Sequence, residues 1–257
     1  MHLFPIVEFM GIQFDLSAII AIVVTAIIVF VLARLSVRNL SIENPSKLQN
    51  FMEWVIEFVH NTIASTMPFE KAKKFISLGM TLIVFIFVGN LLGLPFQIIT
   101  EAHHEIPWLV NVTQAYLDSH GGHAHIAWWK SPTADLSVTA GLALVVFVIV
   151  HFLGMKWNRK HYLKHYFEPY PIFFPINLIE TLAKPLTLAL RLYANILAGE
   201  ILISTILMLG IVGTPFMMVW QGFSIFVGAI QAFLFTILTM VYISQAAIHE
   251  DDPALTH

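Results

Sequence analysis

Lys184, Arg191, Asn195 and Glu200 stand in a stretch that is otherwise apolar, and their types could hold, attract or hand on a charge. After Lys164 the only Lys or Arg residues are Lys184 and Arg191, and between Glu200 and Glu250 there is no Lys, Arg, Asp or Glu. A cation at the centre of a membrane helix costs roughly 2.5–3.5 kcal/mol on insertion scales, so such a residue marks function and needs a partner. A helix turns about 100° per residue, which puts Lys184 and Arg191 on one face. Glu180 joins that face, and Asn195 lies one turn beyond Arg191. Glu200 comes out on the opposite azimuth, about 13 Å further along the axis, so a simple salt bridge from Arg191 to Glu200 is not expected.

A second polar seam follows. Ser224, Gln231 and Gln245 fall at multiples of seven, with Gly228 and Tyr242 beside them. Such a line on an apolar helix faces protein or water rather than lipid. Each polar residue also has a plainer reading. Glu200 reads as a path residue or a protonated structural carboxyl, and Gln231 as a path residue or interhelical glue. Lys184 beside Pro185 reads as structural or interfacial. Glu180 reads as path or interface, and Ser224 as packing. Asp135, in Pro-Thr-Ala-Asp-Leu, either caps a helix from the aqueous edge or adds polarity where protons enter. His103, His104, His120, His123 and His125 have the density of a zinc or nickel site, chiefly through His120, His123 and His125. No Glu-x-x-His helix pattern accompanies them, and a solvated cluster is the expected reading.

These residues need a membrane scaffold. Of the 257 residues 58% are hydrophobic and 11% charged, and the mean hydropathy is +0.78. Soluble domains carry about 25% charged residues, so the chain reads as an all-α, polytopic membrane protein forming one membrane domain, 1–257. A net charge of −3 gives no nucleic-acid footprint, and the lack of cysteine excludes disulfides and thiolate metal sites. No cleavable leader is expected, because Glu8 and Asp15 occupy the place of a cationic flank.

The first span is expected at 16–35. At 47–67, Phe51, Trp54, Val55, Phe58, Val59 and Ile63 recur against Glu53, Glu57 and Asn61, which predicts an amphipathic interfacial helix. A second span is expected at 75–99, a polar loop at 100–133 and a third span at 134–157. The stretches 170–209 and 216–247 are each longer than the roughly 20 residues an upright span requires. Joined by Gly213-Thr-Pro215, they read as two long, tilted helices in a hairpin, for about five transmembrane helices in all. Ten of the 13 cations, Arg34, Arg38, Lys47, Lys71, Lys73, Lys74, Lys156, Arg159, Lys160 and Lys164, then lie on one side. That side is expected in the cytoplasm with the C-terminus, and the N-terminus and the 100–133 loop outside.

Four stretches together resemble the membrane-embedded a subunit of F-type ATP synthases. They are Lys184-Pro-Leu-Thr-Leu-Ala-Leu-Arg191-Leu-Tyr-Ala-Asn195-Ile-Leu-Ala-Gly199-Glu200, Gln231-Ala-Phe-Leu-Phe-Thr-Ile-Leu-Thr-Met-Val-Tyr242-Ile, Gly89-Asn-Leu-Leu-Gly-Leu-Pro95 and Ser131-Pro-Thr-Ala-Asp135-Leu. The resemblance implies a stator subunit that binds no nucleotide itself and belongs to a proton-transporting two-sector ATPase. Its expected partners are the c-subunit ring, the b-subunit peripheral stalk and the rest of the F1Fo complex, in a bacterial inner membrane, with no cofactor. It implies that Arg191 faces the ring carboxylates between two aqueous half-channels, and that Asn195, Glu200 and Gln231 serve the arginine and the outer channel. Arginine does not release its proton, so it separates rather than relays, and the carboxylate it needs is then on another chain. Two positions depart from the family pattern. Ser224 stands where many relatives carry a His or acidic residue, and Asn177, with Glu180 three residues on, stands where a carboxylate is common.

Two other function classes are consistent with parts of the sequence. A secondary anion transporter would use Arg191 in its substrate site, but no internal repeat accompanies it. A metal-dependent membrane enzyme would depend on the histidine loop. No phosphate-binding glycine loop is present.

Overall fold

A computed structural model describes residues 3–67, 72–93, 98–167 and 170–247. Lys71, Leu94-Pro95 of the third motif and the acidic tail Glu250-Asp251-Asp252 lie outside the described residues. Seven α-helices stand among the described residues: α1 (Leu16–Ser36), α2 (Lys47–Ala64), α3 (Ile76–Leu92), a short α4 (Gln114–Ser119), α5 (Leu136–His165), α6 (Phe174–Leu207) and α7 (Thr214–Ala247). Helices α1, α5, α6 and α7 are long and apolar enough to cross a membrane, and α3 is a shorter apolar helix.

The core sits where α3, α5, α6 and α7 meet. Leu82 and Ile86, Ala143 and Val146, Leu188, Ala189 and Leu192, and Ala232 and Phe235 are buried there together. Outward faces carry Ile, Leu, Val and Phe, as helices surrounded by lipid do. Helix α1 turns Ile19, Ile20, Val23, Ile27 and Phe30 outward and buries Ala18, Ala21 and Thr25, so small side chains let it approach α3 closely. The periodic apolar face of α2 is divided. Val59 and Ile63 pack with Met240 and Ile243 of α7, whereas Phe51, Trp54 and Phe58 form an outward aromatic row, its ring centroids 6.3 and 6.0 Å apart.

Two β-hairpins cap one end of the bundle, and the sequence reading contained neither. Strands β1 (Ile6–Phe9) and β2 (Ile12–Asp15) pair antiparallel. Their two-residue turn, Met10-Gly11, has both φ angles positive, the twist that a tight hairpin requires. Strands β3 (Ile99–Ala102) and β4 (Ala124–Ala127) form the second hairpin. Leu3 joins β4 by a parallel bridge. Ile99, expected at the end of the second span, is thus in a strand, and α3 ends at Leu92.

At the other end α5 doubles back. Tyr166 Oη lies 3.3 Å from His151 Nε2, yet fifteen residues of straight helix would part their Cα atoms by about 22 Å. Tyr162 closes against Gly154, where an added Cβ would come within 2.6 Å of the ring. The apolar portion of α5 is Leu136–Trp157; beyond it the cationic run 156–164 is too polar to continue into lipid. Helix α6 contains Pro185 in its interior.

Candidate functional site

Helix α6 carries Lys184, Arg191, Asn195 and Glu200 on one continuous element, 34 residues long. Two cavities reach it from opposite ends of the bundle. The first has a volume of about 400 Å³ and lies at the end where α5 doubles back; its polar lining includes His151, Tyr162, Tyr166, Glu180, Lys184 and Tyr242. The second, about 240 Å³, lies at the hairpin-capped end and is lined by Asn90, Ser131, Asn195, Glu200, Trp220 and Ser224, among others. Leu188 is the α6 residue of the first cavity nearest Arg191, and Asn195 that of the second. Seven residues, or about 10 Å of helix, separate the two. Arg191 sits on the turn between them and lines neither. On the facing stretch of α7, Gln231, Ala232 and Phe235 are buried.

Among the described residues no carboxylate pairs with Arg191. Its guanidinium is near enough to Tyr242 to interact with it electrostatically. Lys184 is engaged: Nζ lies 3.1 Å from Glu180 Oε1 and 5.7 Å from the Tyr242 ring centroid. Glu200 faces a different set of groups. Trp220 Nε1 and Ser224 Oγ, which line the same cavity, are buried without a hydrogen-bond partner among the described residues. A buried donor and a buried hydroxyl beside a carboxyl are groups that water satisfies.

Asn90 is a residue the sequence reading left unremarked within its motif. It donates through Nδ2 to Gly228 O of α7 at 3.1 Å and accepts through Oδ1 from Thr133 Oγ1 at 2.6 Å. Ser131 Oγ donates to Gly89 O at 3.1 Å, and Trp129 Nε1 to Leu92 O at 2.8 Å. A Cβ at Gly93 would overlap Ser131. The Gly89-Asn90 and Ser131-Pro-Thr motifs are thus one interlocked corner that supports the wall of the second cavity. A lone Asn within an apolar span was the signal for it.

Asp135 caps α5, accepting from Ser137 N at 2.8 Å. It also accepts from Lys130 Nζ at 2.7 Å, and Lys130 reaches Asp15, the cap of α1, at 2.5 Å. Burial works against the Lys130 charge, but the hydrogen bonds it donates to both carboxylates outweigh it and hold its ammonium above the usual lysine range. Burial likewise works against the Asp135 charge, and the Lys130 hydrogen bond reverses it, holding the carboxyl below the usual range. The histidine loop does not converge. His120 stacks on Tyr116 at 4.0 Å between centroids, His123 meets His125 edge-on at 5.5 Å, and His125 faces Glu101 at 3.6 Å. Among the described residues no three His, Asp or Glu side chains are grouped to hold a metal ion.

Comparison with known proteins gives a consistent family. The family model for the ATP synthase A chain matches residues 17–244. An ATP synthase subunit a of Bacillus subtilis is 43% identical over 266 residues, covering 97% of this chain and 99% of that protein. One of Anoxybacillus flavithermus is 44% identical over 257 residues, with the same coverage. One of Listeria monocytogenes is 42% identical, covering 96% of this chain and 98% of its own length.

Proposed function

The chain belongs to the ATP synthase A chain family, and on that premise we propose that it is the proton-translocating stator of the Fo sector in a bacterial plasma membrane. The observation that carries the reading is the pair of cavities entering from opposite ends of α6, parted by the turn that bears Arg191. By the distribution of cations, the Glu200 cavity opens outside and the His151 cavity opens to the cytoplasm. The N-terminus is then outside and the C-terminus cytoplasmic.

In this reading the two cavities are aqueous half-channels, each leading to a ring of c subunits packed along α6 and α7. Protons enter past Asn195 and Glu200, where water held by Trp220 and Ser224 carries them the last step. Arg191 draws a ring carboxylate into its ionised form as it passes, and blocks a direct leak because it does not give up its own proton. Gln231, buried opposite, narrows the barrier. Glu180, Lys184 and Tyr242 border the exit. The b-subunit stalk holds the chain against rotation. Each charge crossing supplies about 2.3 kcal/mol per 100 mV.

The test is Arg191→Ala in membranes containing the whole complex. Proton-driven ATP synthesis is expected to vanish while the complex still assembles; full synthesis in that variant would overturn the reading. Arg191→Lys keeps a charge but loses the planar fork, and is expected to fail as well.

A further inference from the structure

We propose that His151, Tyr166 and Tyr162 form a hydrogen-bonded proton-loading site in the wall of the cytoplasm-facing cavity, with His151 holding the proton. This rests on the half-channel reading of that cavity.

The three side chains are strung in line. His151 Nδ1 lies 2.8 Å from Phe147 O, which can only accept, so this nitrogen carries the hydrogen. The neutral ring then presents its Nε2 lone pair to Tyr166 Oη, 3.3 Å away. Tyr166 Oη is in turn 3.3 Å from Tyr162 Oη. All three residues line the cavity. The string exists because α5 doubles back, and the absence of a side chain at Gly154 lets Tyr162 close. Asn177 of α6 fastens the returning segment by donating to Tyr166 O at 3.1 Å.

The other charged groups facing this wall, among the described residues, are Glu180 and Lys184 of α6, with Tyr242 of α7 across the cavity. Glu180 and Lys184 already pair with each other. Burial, and then its bond to Tyr166, raise the Tyr162 phenol above the usual tyrosine range, so it remains a proton-bearing link. The transfer balances. Tyr162 oxygen takes a proton from a hydronium ion in the cavity, which is left as water, as its own hydroxyl proton passes to Tyr166 oxygen. The Tyr166 proton passes to His151 Nε2, giving an imidazolium and two intact phenols. Unloading reverses each move and returns the proton to water. The hydrogen-bond direction along the string flips with the charge on the ring.

A loading site matters most when protons are scarce. The experiment measures ATP-driven proton pumping by the whole complex in vesicles, with the cytoplasmic-side pH set between about 5 and 8, the range in which histidine side chains in general change charge. Rates for each variant are taken as a ratio to wild type at the same pH, which removes the pH dependence of ATP hydrolysis. For His151→Gln the ratio is expected to stay close to one at the acid end and to fall several-fold at the alkaline end. Tyr166→Phe is expected to give the same profile, and the double variant to be no worse than either. A ratio that is flat with pH, or additive losses, would overturn the proposal; a purely structural role gives that flat ratio together with less assembled complex. If His151→Gln fails to assemble, Tyr166→Phe, which only removes a hydroxyl, carries the same test. The half-channel reading is checked apart from this. The chain has no cysteine, so Thr181→Cys places one thiol in the same cavity, to be labelled by a membrane-impermeant reagent from the cytoplasmic side. Labelling with a flat pH ratio defeats the loading site alone. No labelling defeats the half-channel and the loading site together.

Discussion

The Lys130 ammonium lies 2.7 Å from the Asp135 carboxylate that caps α5. Through its second bond, to Asp15, the same ammonium ties together the starts of two membrane helices that are 120 residues apart in sequence. Lys130 is 8% exposed and Asp135 17%, so neither charge is freely solvated. Lys130→Met is therefore expected to destabilise the chain by about 3 kcal/mol, because it leaves two carboxylates facing each other without a counter-charge. Thermal unfolding of the purified complex, followed through loss of this subunit, measures it.

The same cluster has a pH signature. Asp135 is held below the usual aspartate range in the folded chain. Its contribution is present above the unfolded value, about 3.9, and is lost as pH falls through the lower folded value. Lys130 is held above its usual range, so its contribution is complete below about 10.4 and is lost as pH rises through the raised value. Unfolding temperature should therefore be level through neutral pH and drop at both extremes. Lys130→Met should remove the alkaline drop due to this group.

Asn90 is expected to be intolerant of an apolar replacement. Asn90→Leu removes one bond to Gly228 O and one from Thr133 Oγ1, at roughly 0.5–1.5 kcal/mol for each hydrogen bond lost, while Thr133 Oγ1 keeps its contact with Ser131 Oγ. Its larger side chain also meets α7, where the gap from Asn90 Cβ to an added Cβ on Gly228 is only 3.2 Å. Reduced recovery of assembled complex after mild heating is the readout. Unchanged recovery would mean that the corner bears no strain.

Glu200→Gln keeps the shape of the carboxyl but removes its titration. Proton-driven synthesis is expected to fall by about 100-fold, the lower range for loss of a positioned proton-transfer group, with assembly unaltered. Glu200→Asp should recover part of the rate. Synthesis at the wild-type rate in Glu200→Gln would assign proton entry to water alone.

Gly154→Ala tests the doubled-back end of α5. The new methyl would meet the Tyr162 ring at 2.6 Å and push the returning segment outward, lengthening the bond from Tyr166 to His151. The variant is expected to reproduce the alkaline pumping defect of Tyr166→Phe with little loss of assembled complex. Wild-type pumping at all pH values would show that the ring shifts aside without breaking the string.

What was legible in the sequence follows from chemistry that acts locally. Arg191 was conspicuous because a guanidinium in an apolar run is costly wherever the chain goes, and the helix period alone separated its azimuth from that of Glu200. The apolar stretches read as membrane helices for the same reason. The hairpins were not legible: β1 to β4 are four residues each, too short for alternation to stand out, and β3 and β4 are separated by the whole of α4. Nor was the turn-back of α5. The cationic run Lys156–Lys164 announces the end of a span, but not that Tyr166 returns to His151. Asn90 shows the same limit, since its partner Gly228 is 138 residues away.

Pro185 has no amide hydrogen, so within α6 the carbonyl of Thr181 is deprived of the donor that every regular helix supplies one turn later. Thr181 and Pro185 both border the cavity that holds His151. The oxygen is a negative pole that no change of acidity can neutralise. In the half-channel reading it offers water or hydronium an acceptor whose strength does not change with pH, and the backbone itself joins the path.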